Sequence, residues 1–274
     1  MLKIIKKIVP TTIKDFLRPG RDYLLQVFGL DTRKIPLNPP YPVFNLTADD
    51  YVLPSELDTD FKPGHDFMVI AHRGARLEAK ENTLDAFNLA KNIGANVVEI
   101  DIRISADGHL VIHHDKNIDK KYGENILIED KNVDELSEYG VTRLEEAFSE
   151  LPDLGYILDF KVKGRLVIEK MIEMLNKFNM REKVLFEGHY TYLDNHKYWR
   201  MPRLELSELL KVGDKRSKKI IANAKADGKI VYASVMPGDL DRMKILIELG
   251  IDGIMTADIR SLCDIAKNAG VIRN

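Results

Sequence analysis

From residue 66 onward the chain alternates short apolar runs with longer amphipathic stretches, and this alternation constrains the fold more than any other feature. The apolar runs are rich in valine and isoleucine, which favour β-strands. The longer stretches carry apolar residues at helical spacing, and several of them are followed by glycine, where helices often end. Strands that alternate with helices favour a parallel sheet covered by helices.

The pattern can be assigned to individual elements along the chain. We predict strands at residues 67–71, 96–102, 109–113, 156–161, 183–187, 203–207, 230–235 and 251–255. We predict helices at residues 83–93, 143–150, 166–178, 214–227, 239–248 and 259–268. Residues 116–140 are polar and irregular, which indicates a loop excursion beside an active site. These elements fit an α/β fold, the closed (β/α)8 barrel of TIM type, with helices between most of the strands and a short turn at 105–108 that breaks the regularity.

The composition agrees with a globular enzyme. A chain of 274 residues with 45% hydrophobic residues can bury a substantial core, and its formal net charge of -2 gives no general attraction to nucleic acid. We therefore expect no nucleic-acid partner. The single cysteine, Cys263, excludes an internal disulfide, and its helical surroundings indicate a buried small apolar residue.

The N-terminal residues form a separate part of the sequence. Residues 1–34 are basic with interspersed aliphatic side chains, and residues 35–65 are rich in proline and acidic residues. No apolar run in residues 1–34 approaches the roughly 20 residues that span a bilayer, and lysines interrupt any signal-peptide core. We therefore predict a cytoplasmic protein with a helical and extended extension at 1–65 and a barrel at 66–274. The basic helices either lie on the inner face of the membrane, or pack on the barrel or on a second subunit of a homo-oligomer.

An acid pair marks the most informative strand. Glu99 and Asp101 lie two residues apart in a run of β-branched residues, so both carboxylates point to the same face of the strand. Burying two unpaired carboxylates is unfavourable. A hard divalent cation, Mg²⁺ or Ca²⁺, would relieve that cost and polarise a phosphoryl oxygen. The alternative is an edge strand whose acids are solvated, and the neighbouring motifs argue against it.

Two histidine motifs follow apolar runs at the ends of predicted strands, His72-Arg73-Gly74 and His113-His114-Asp115. A single histidine in such a place is more often structural, whereas two beside an acid pair can serve as general base and general acid. Arg73 offers a planar fork of donors that fits a phosphate, and Gly74 lets the backbone turn close to a ligand. Together these residues indicate hydrolysis of a phosphate diester.

The segment from His72 to Asp115 resembles the glycerophosphodiester phosphodiesterases, within the superfamily of phospholipase C-like phosphodiesterases. The family pattern runs H-R-G, P-E-N-T, A-F, G-A, E-x-D, D-G and V-x-x-H-D in that order. This chain has His72-Arg73-Gly74, Glu81-Asn82-Thr83, Ala86-Phe87, Gly94-Ala95, Glu99-Ile100-Asp101, Asp107-Gly108 and Val111-Ile112-His113-His114-Asp115. Looser matches at residues 142–148 and 250–256 extend the resemblance to about residues 66 to 270.

The resemblance implies a metal-dependent enzyme that hydrolyses glycerophosphodiesters, or related polyol-phosphate diesters, to a phosphomonoester and an alcohol. It implies acid–base catalysis by His72 and His114, substrate phosphate binding by Arg73 and Lys161, and binding of Mg²⁺ or Ca²⁺ by Glu99, Asp101 and Asp159. The last acid and the lysine match a later family motif, E-x-K, with aspartate in place of glutamate. The substrate is then a small-molecule or lipid-derived phosphodiester.

Three positions depart from the family pattern. Lys80 replaces the proline before Glu81, Asp159 replaces a glutamate, and residues 233–236 read A-S-V-M where the family often has W-T-V-N. An aromatic wall of the substrate pocket is therefore missing or comes from elsewhere. The aspartate with its lysine also resembles phospholipases D of the sphingomyelinase D type. The alternatives are a phospholipase D-like or lysophospholipase D-like enzyme acting on membrane lipids, and a non-catalytic barrel that binds polyol phosphates.

Overall fold

The structure is a computed structural model that describes residues 59–62, 64, 66–118, 126–162, 164–188, 198–201, 214–226, 228 and 230–273. The strand predicted at 203–207 and most of the predicted extension, residues 1–58, lie outside these residues. Both remain predictions, as does the domain boundary after residue 65.

The described residues contain nine strands and seven α-helices. The strands are β1 (Met68–His72), β2 (Val97–Ile104), β3 (Leu110–Ile112), β4 (Thr142–Arg143), β5 (Gly155–Phe160), β6 (Val184–Gly188), β7 (Tyr198–Met201), β8 (Ile230–Ser234) and β9 (Gly253–Thr256). The helices are α1 (Leu84–Ile93), α2 (Val133–Glu138), α3 (Leu144–Glu150), α4 (Arg165–Lys177), α5 (Asp214–Ala226), α6 (Leu240–Leu249) and α7 (Ile259–Asn268). All six predicted helices are present, and none of the described helices could cross a membrane.

Seven of the described strands run parallel, in the spatial order β6-β5-β2-β1-β9-β8-β7. The connections along this sheet carry helices, which pack on its outer side and bury the face that does not line the interior. This is the architecture of the predicted (β/α)8 barrel, whose functional residues lie where the parallel strands end.

Strand β3 differs from its prediction as a barrel strand. It lies where expected but runs antiparallel to β2, with Ile112 opposite Ile102 and Leu110 opposite Ile104. The turn between them is too short for a crossover, since a parallel connection needs a dozen or more residues. The chain therefore rises past the end of the barrel on β2 and returns to it on β3.

The expectation of an irregular loop at 116–140 was wrong for part of that segment. It contains a 3-10 turn at Ile128–Asp130 and helix α2, whose Asn132 and Glu135 form a reciprocal capping box. These elements bury a small core of their own, made of Val111, Ile118, Ile126, Ile128, Val133, Leu136 and Val141. A helix of only six residues has too little periodicity to be seen in the sequence. We call residues 116–118 and 126–141 the satellite unit.

The interior of the barrel is apolar where the strands begin. An interior cluster there consists of Met68, Ile70, Val97, Ile157, Leu185, Tyr232 and Met255. Phe61 packs against this cluster from outside the sheet, and the Lys62 backbone N–H donates to the Glu182 carbonyl at 2.9 Å. Residues with the opposite parity on the same strands, such as Val69 and Val98, pack against the helices. The two-residue period of the strands thus separates an inner core from an outer one.

The turn between β1 and α1 shapes the open end of the barrel, where the parallel strands finish. Helix α1 begins after Thr83, whose side chain accepts a hydrogen bond from the Ala86 N–H. Gly74 packs directly on this first helical turn with a φ of +80°, and a Cβ there would lie 2.8 Å from Ala86. Only glycine can adopt this positive φ and also leave room for Ala86 without strain.

We expect Gly74→Ala to destabilise the fold by roughly 2–5 kcal/mol, the sum of left-handed backbone strain and overpacking. Urea denaturation monitored by circular dichroism would measure this loss. Gly250→Ala is the matched control, since its φ is +83° but no atom lies within 4 Å of the added Cβ. It should lose only the backbone part, about 1–2 kcal/mol. Equal losses in the two variants would contradict the close approach at Gly74.

Candidate active site

The predicted site residues continue the inward-facing rows of the barrel strands. On β1 the row Met68, Ile70 continues to His72, on β2 the row from Val97 continues to Glu99 and Asp101, and on β5 the row from Ile157 continues to Asp159. The rows are apolar where the strands begin and polar where they end. Because alternate residues of each strand point inward, these side chains meet at the open end of the barrel.

Three carboxylates form a cluster at this end. Glu99, Asp101 and Asp159 each place an oxygen within 4.8 Å of the others, and the side chains of Glu99 and Asp101 are buried. The strand register explains the arrangement, because Asp101 pairs directly with Asp159 across β2 and β5. We call these three residues the acid cluster.

Two cationic side chains border the acid cluster. Lys161 Nζ lies 2.7 Å from Asp159 Oδ2 and 3.0 Å from Asp101 Oδ1, and Arg73 Nε lies 3.1 Å from Asp101 Oδ2. Burial alone would raise the pKa of Asp101, but Lys161, Asn82 and Arg73 outweigh it and hold that pKa below its usual range. Asp101 is therefore a buried but ionised carboxylate.

Glu99 has the opposite electrostatic environment. Burial, reinforced by the nearby carboxylates of Asp101 and Asp159, raises the pKa of Glu99 well above its ordinary value of 4.5. Its Oε2 atom accepts a hydrogen bond from the Arg73 backbone N–H at 3.2 Å and lies 3.6 Å from His72 Nε2. Ionised Glu99 thus lacks a cationic partner strong enough to offset its burial.

The acid cluster fits a hard divalent cation. Its donors are three carboxylates, which are the ligands that Mg²⁺ and Ca²⁺ prefer. The buried Asp101 Oδ1 atom has no aligned hydrogen-bond donor, even though Lys161 lies within ion-pair distance. A cation at this place would satisfy that oxygen, and its charge would offset the burial and the carboxylate repulsion that raise the pKa of Glu99.

Asn82 is a site residue to which the sequence reasoning assigned no role. It is buried, and its amide Nδ2 donates to Asp101 Oδ2 at 2.8 Å. Its backbone φ is 59°, a left-handed conformation that asparagine tolerates better than most residues. In the sequence, the signal for a role of Asn82 was its position next to Glu81. In the structure, Glu81 accepts a hydrogen bond from Arg73 Nη1 at 2.9 Å. The whole turn from β1 to α1 thus orients the groups that hold Asp101.

His114 reaches the open end on the antiparallel return of β3. The neighbouring His113 backbone N–H donates to the Asp101 carbonyl at 2.9 Å, which sets this segment beside β2. The His114 imidazole is partly exposed, and its Nδ1 lies 2.8 Å from Asp115 Oδ1. Of the four predicted residues outside the acid cluster, His72, Arg73 and Lys161 contact it directly, whereas the His114 side chain is oriented by Asp115.

Residues 233–236 replace the W-T-V-N of the family pattern and contain no aromatic side chain that could line the substrate pocket. Ala233 packs in the outer core, so an aromatic residue at this position of β8 would face the helices. The inward-facing aromatic residue of this strand is Tyr232, whose hydroxyl donates to the buried carboxylate of Glu187 on β6. Glu187 lies beside Asp159 in the strand register and adds to the negative charge felt by Glu99. The sequence reasoning did not single out either residue of this pair.

Comparisons with known proteins point to one family of enzymes. The model of the glycerophosphoryl diester phosphodiesterase family matches residues 72–191, a range that contains all seven predicted site residues. A glycerophosphodiester phosphodiesterase of Caldanaerobacter subterraneus is 26% identical over 244 residues, which cover 74% of this chain and 99% of that relative. The human lysophospholipase D GDPD1 is 30% identical over 142 residues, or 45% of each chain.

Solved structures support the same fold. The glycerophosphodiester phosphodiesterase of Thermotoga maritima has a TM-score of 0.59 at 22% identity and covers 73% of this chain and 99% of its own. A phosphodiesterase of Oleispira antarctica, solved with its product sn-glycerol-3-phosphate, has a TM-score of 0.57 at 22% identity, covering 73% and 96%. The prediction of a TIM-type barrel is confirmed.

The fold and the site together define a phosphoric diester hydrolase built on a TIM-type barrel. The match to the glycerophosphoryl diester phosphodiesterase family covers residues 72–191, and the wider similarity to proteins of that name covers about three quarters of the chain.

The raised pKa of Glu99 predicts a pH-dependent cost to stability in metal-free solution. The folded state binds the Glu99 proton more tightly than the unfolded chain does, so stability falls as pH rises from about 4.5 through the raised pKa. Glu99→Gln carries no charge at any pH. We therefore expect this variant to be more stable than the wild type at pH 7 and equally stable below pH ~4.5.

Urea denaturation across this pH range, with a chelator present, measures the difference. Glu150→Gln removes an exposed carboxylate at the end of α3 and is the matched control for a lost surface charge. A stability difference between Glu99→Gln and wild type that stays constant with pH would contradict the assigned environment of Glu99.

Proposed function

We propose that this protein hydrolyses glycerophosphodiesters to glycerol 3-phosphate and an alcohol, with a divalent cation bound at the acid cluster. The observation that carries the proposal is the arrangement of Glu99, Asp101 and Asp159 between Arg73 and Lys161 at the open end of the barrel. The carboxylates of the acid cluster suit a metal cation, and the two neighbouring cationic side chains suit the phosphate group of a substrate.

Glu99, Asp101 and Asp159 would hold the cation. When bound, the cation supplies Lewis-acid polarisation of the phosphoryl group and neutralises part of its charge. We assign Mg²⁺ or Ca²⁺ on the chemistry of the donors, because all three are carboxylates.

Arg73 and Lys161 bind and orient the phosphate in this proposal. Both lie at the rim of the acid cluster and are partly buried, so their charges are less screened than those of surface side chains. Arg73 is held in place by Glu81 through Nη1 and by Asp101 near Nε. A planar guanidinium fixed in this way offers directed donors to phosphate oxygens, and the ammonium of Lys161 acts as a second positive charge.

His72 and His114 move the protons. One removes a proton from the attacking oxygen, which belongs to water or to the neighbouring hydroxyl of the glycerol unit, and the other protonates the leaving alkoxide. The contact between His114 Nδ1 and Asp115 Oδ1 favours the tautomer with the proton on Nδ1. His114 Nε2 is then the atom that accepts or donates the proton, whereas His72 presents Nε2 towards Glu99.

A lipid substrate is the second candidate. The observation that favours it is the similarity to human lysophospholipase D GDPD1, which spans 142 residues at 30% identity. Lysophospholipids are themselves glycerophosphodiesters with an added acyl chain, so the same acid cluster and histidines would serve both reactions. The two candidates differ in what the pocket accepts beyond the phosphate.

We expect the wild-type protein to release glycerol 3-phosphate from water-soluble glycerophosphodiesters in the presence of Mg²⁺ or Ca²⁺. His72→Ala and His114→Ala should each lower kcat/KM by roughly 10²–10⁴-fold, the usual contribution of a general acid or base. A coupled assay for glycerol 3-phosphate, run beside an assay of choline release from lysophosphatidylcholine, measures both substrate classes.

His113→Ala is the matched control, because His113 is adjacent in sequence to His114 but has no proposed part in proton transfer, and its Nδ1 contacts the Asp115 backbone carbonyl at 2.8 Å. It should retain activity within severalfold of the wild type. Activity on lysophospholipids alone would favour the lipid candidate. Inactivity on every diester would contradict the proposal and favour the non-catalytic barrel that binds polyol phosphates.

The cation is tested separately by its effect on stability. Mg²⁺ or Ca²⁺ at a hundredfold of its Kd should stabilise the wild-type protein by about 2.7 kcal/mol, because it binds the folded state alone. Glu99→Gln and Asp159→Asn should lose this response, whereas Glu150→Gln should keep it. Chemical denaturation with and without the cation measures the response. Equal stabilisation of all variants would place cation binding outside the acid cluster.

A further inference from the structure

Arg103 is a buried arginine to which the proposed mechanism gives no role. It lies on β2, two residues beyond Asp101 in the same inward-facing row, and its side chain is about one-tenth exposed. Its Nε and Nη2 atoms both donate to the backbone carbonyl of His114, at 3.2 and 3.0 Å. Its Nη1 donates to Glu129 Oε1 at 2.7 Å. Each of these contacts is a direct hydrogen bond with good geometry.

The fork of hydrogen bonds on one carbonyl is the informative part. Two donors from a planar guanidinium restrain both the distance and the direction of the carbonyl, which a single donor cannot do. This carbonyl belongs to His114, the residue proposed to transfer a proton. Holding the carbonyl in place also limits rotation of the His114 backbone. A lysine at this position could bind the carbonyl or Glu129 but could not reproduce the fork.

Glu129 in turn is held by the satellite unit. Glu129 lies on the 3-10 turn at Ile128–Asp130. The Ile128 side chain is fully buried in the core of the satellite unit, and the Ile128 backbone N–H donates to the Lys116 carbonyl at 2.9 Å. Asp107, in the turn between β2 and β3, accepts hydrogen bonds from Ser105 Oγ and from the Val133 N–H. The satellite unit is therefore attached to the same hairpin that carries His114.

We propose that Arg103, oriented by Glu129, is a positioning residue that holds His114 in register with the acid cluster. The satellite unit then serves the reaction although it supplies no group that touches the substrate. The inference rests on the proposed function, in which His114 transfers a proton. It goes beyond that function because it explains what the satellite unit contributes, which is to keep the guanidinium of Arg103 aimed at the His114 carbonyl.

The physical expectation is a loss of rate with little loss of binding. Small displacements of a proton-transfer group are costly, since misplacement by about 1 Å can lower a rate by 10²-fold. Arg103→Lys keeps the positive charge but loses the fork, and we expect it to lower kcat by about tenfold or more while KM stays within about twofold. Cation affinity, measured by the stability response above, should not change.

Arg143→Lys is the matched control. Arg143 lies on β4 beside the satellite unit, and its side chain pairs with Asp134 Oδ1 at 2.5 Å and with Glu146 Oε1 at 4.0 Å rather than with the His114 carbonyl. Both variants replace an arginine paired to an acid of the satellite unit, and only one breaks a contact to His114. Arg143→Lys should therefore keep the wild-type kcat.

A double-mutant cycle separates positioning from general stability. If Arg103 acts through His114, then adding Arg103→Lys to His114→Ala should leave the residual activity unchanged, although each single variant is impaired. Glu129→Gln keeps an acceptor for Arg103 and should retain more activity than Glu129→Ala. Additive losses in the cycle would overturn the proposal, as would a fall in kcat for Arg143→Lys equal to that for Arg103→Lys.

One readout does not depend on activity. In NMR spectra of the protein labelled at histidine, the His114 imidazole resonances should shift or broaden in Arg103→Lys and remain as in wild type in Arg143→Lys. If the wild type hydrolyses no phosphodiester, the proposed function fails, and this comparison still decides whether Arg103 positions His114. Unchanged His114 resonances in Arg103→Lys would overturn the positioning role itself.

Discussion

The buried carboxylate of Asp101 is the point on which the site depends. An ionised carboxylate without partners is strongly unfavourable in a protein interior, so the fold must bring donors to it. Asn82 and Arg73 arrive from the turn after β1, and Lys161 arrives from the residue after β5. The β1–α1 turn, with its close approach of Gly74 to Ala86, is thus part of the same requirement.

The barrel divides its interior into an apolar and a charged part along each strand. The inward-facing residues near the strand starts form an apolar cluster, while those near the strand ends carry acids and histidine. The apolar part stabilises the fold, which allows the other end to hold groups that repel one another. Burial and this concentration of carboxylates together raise the pKa of Glu99, and a cation would offset both effects.

The hairpin of β2 and β3 adds a feature that a regular barrel lacks. Each parallel strand of a barrel ends at the open end and continues into a loop, whereas β3 approaches that end from the opposite direction. His114 is therefore carried on a segment whose position depends on contacts outside the barrel. Arg103 and Glu129 supply such contacts, and the packing of the satellite unit keeps them in place.

Much of this could be predicted from the sequence, because strand and helix periods and short motifs are encoded within a few neighbouring residues. The six helices, the inward direction of Glu99 and Asp101 and the grouping of the H-R-G, E-x-D and D-x-K residues at strand ends are of this kind. Only the tertiary structure decided the antiparallel direction of β3, the folding of the satellite unit and the pairing of Arg103 with Glu129. The same holds for the bond from Tyr232 to Glu187, whose residues lie 45 positions apart. Such contacts join distant parts of the chain, and the energy of a buried polar group depends on which partners the complete fold places beside it.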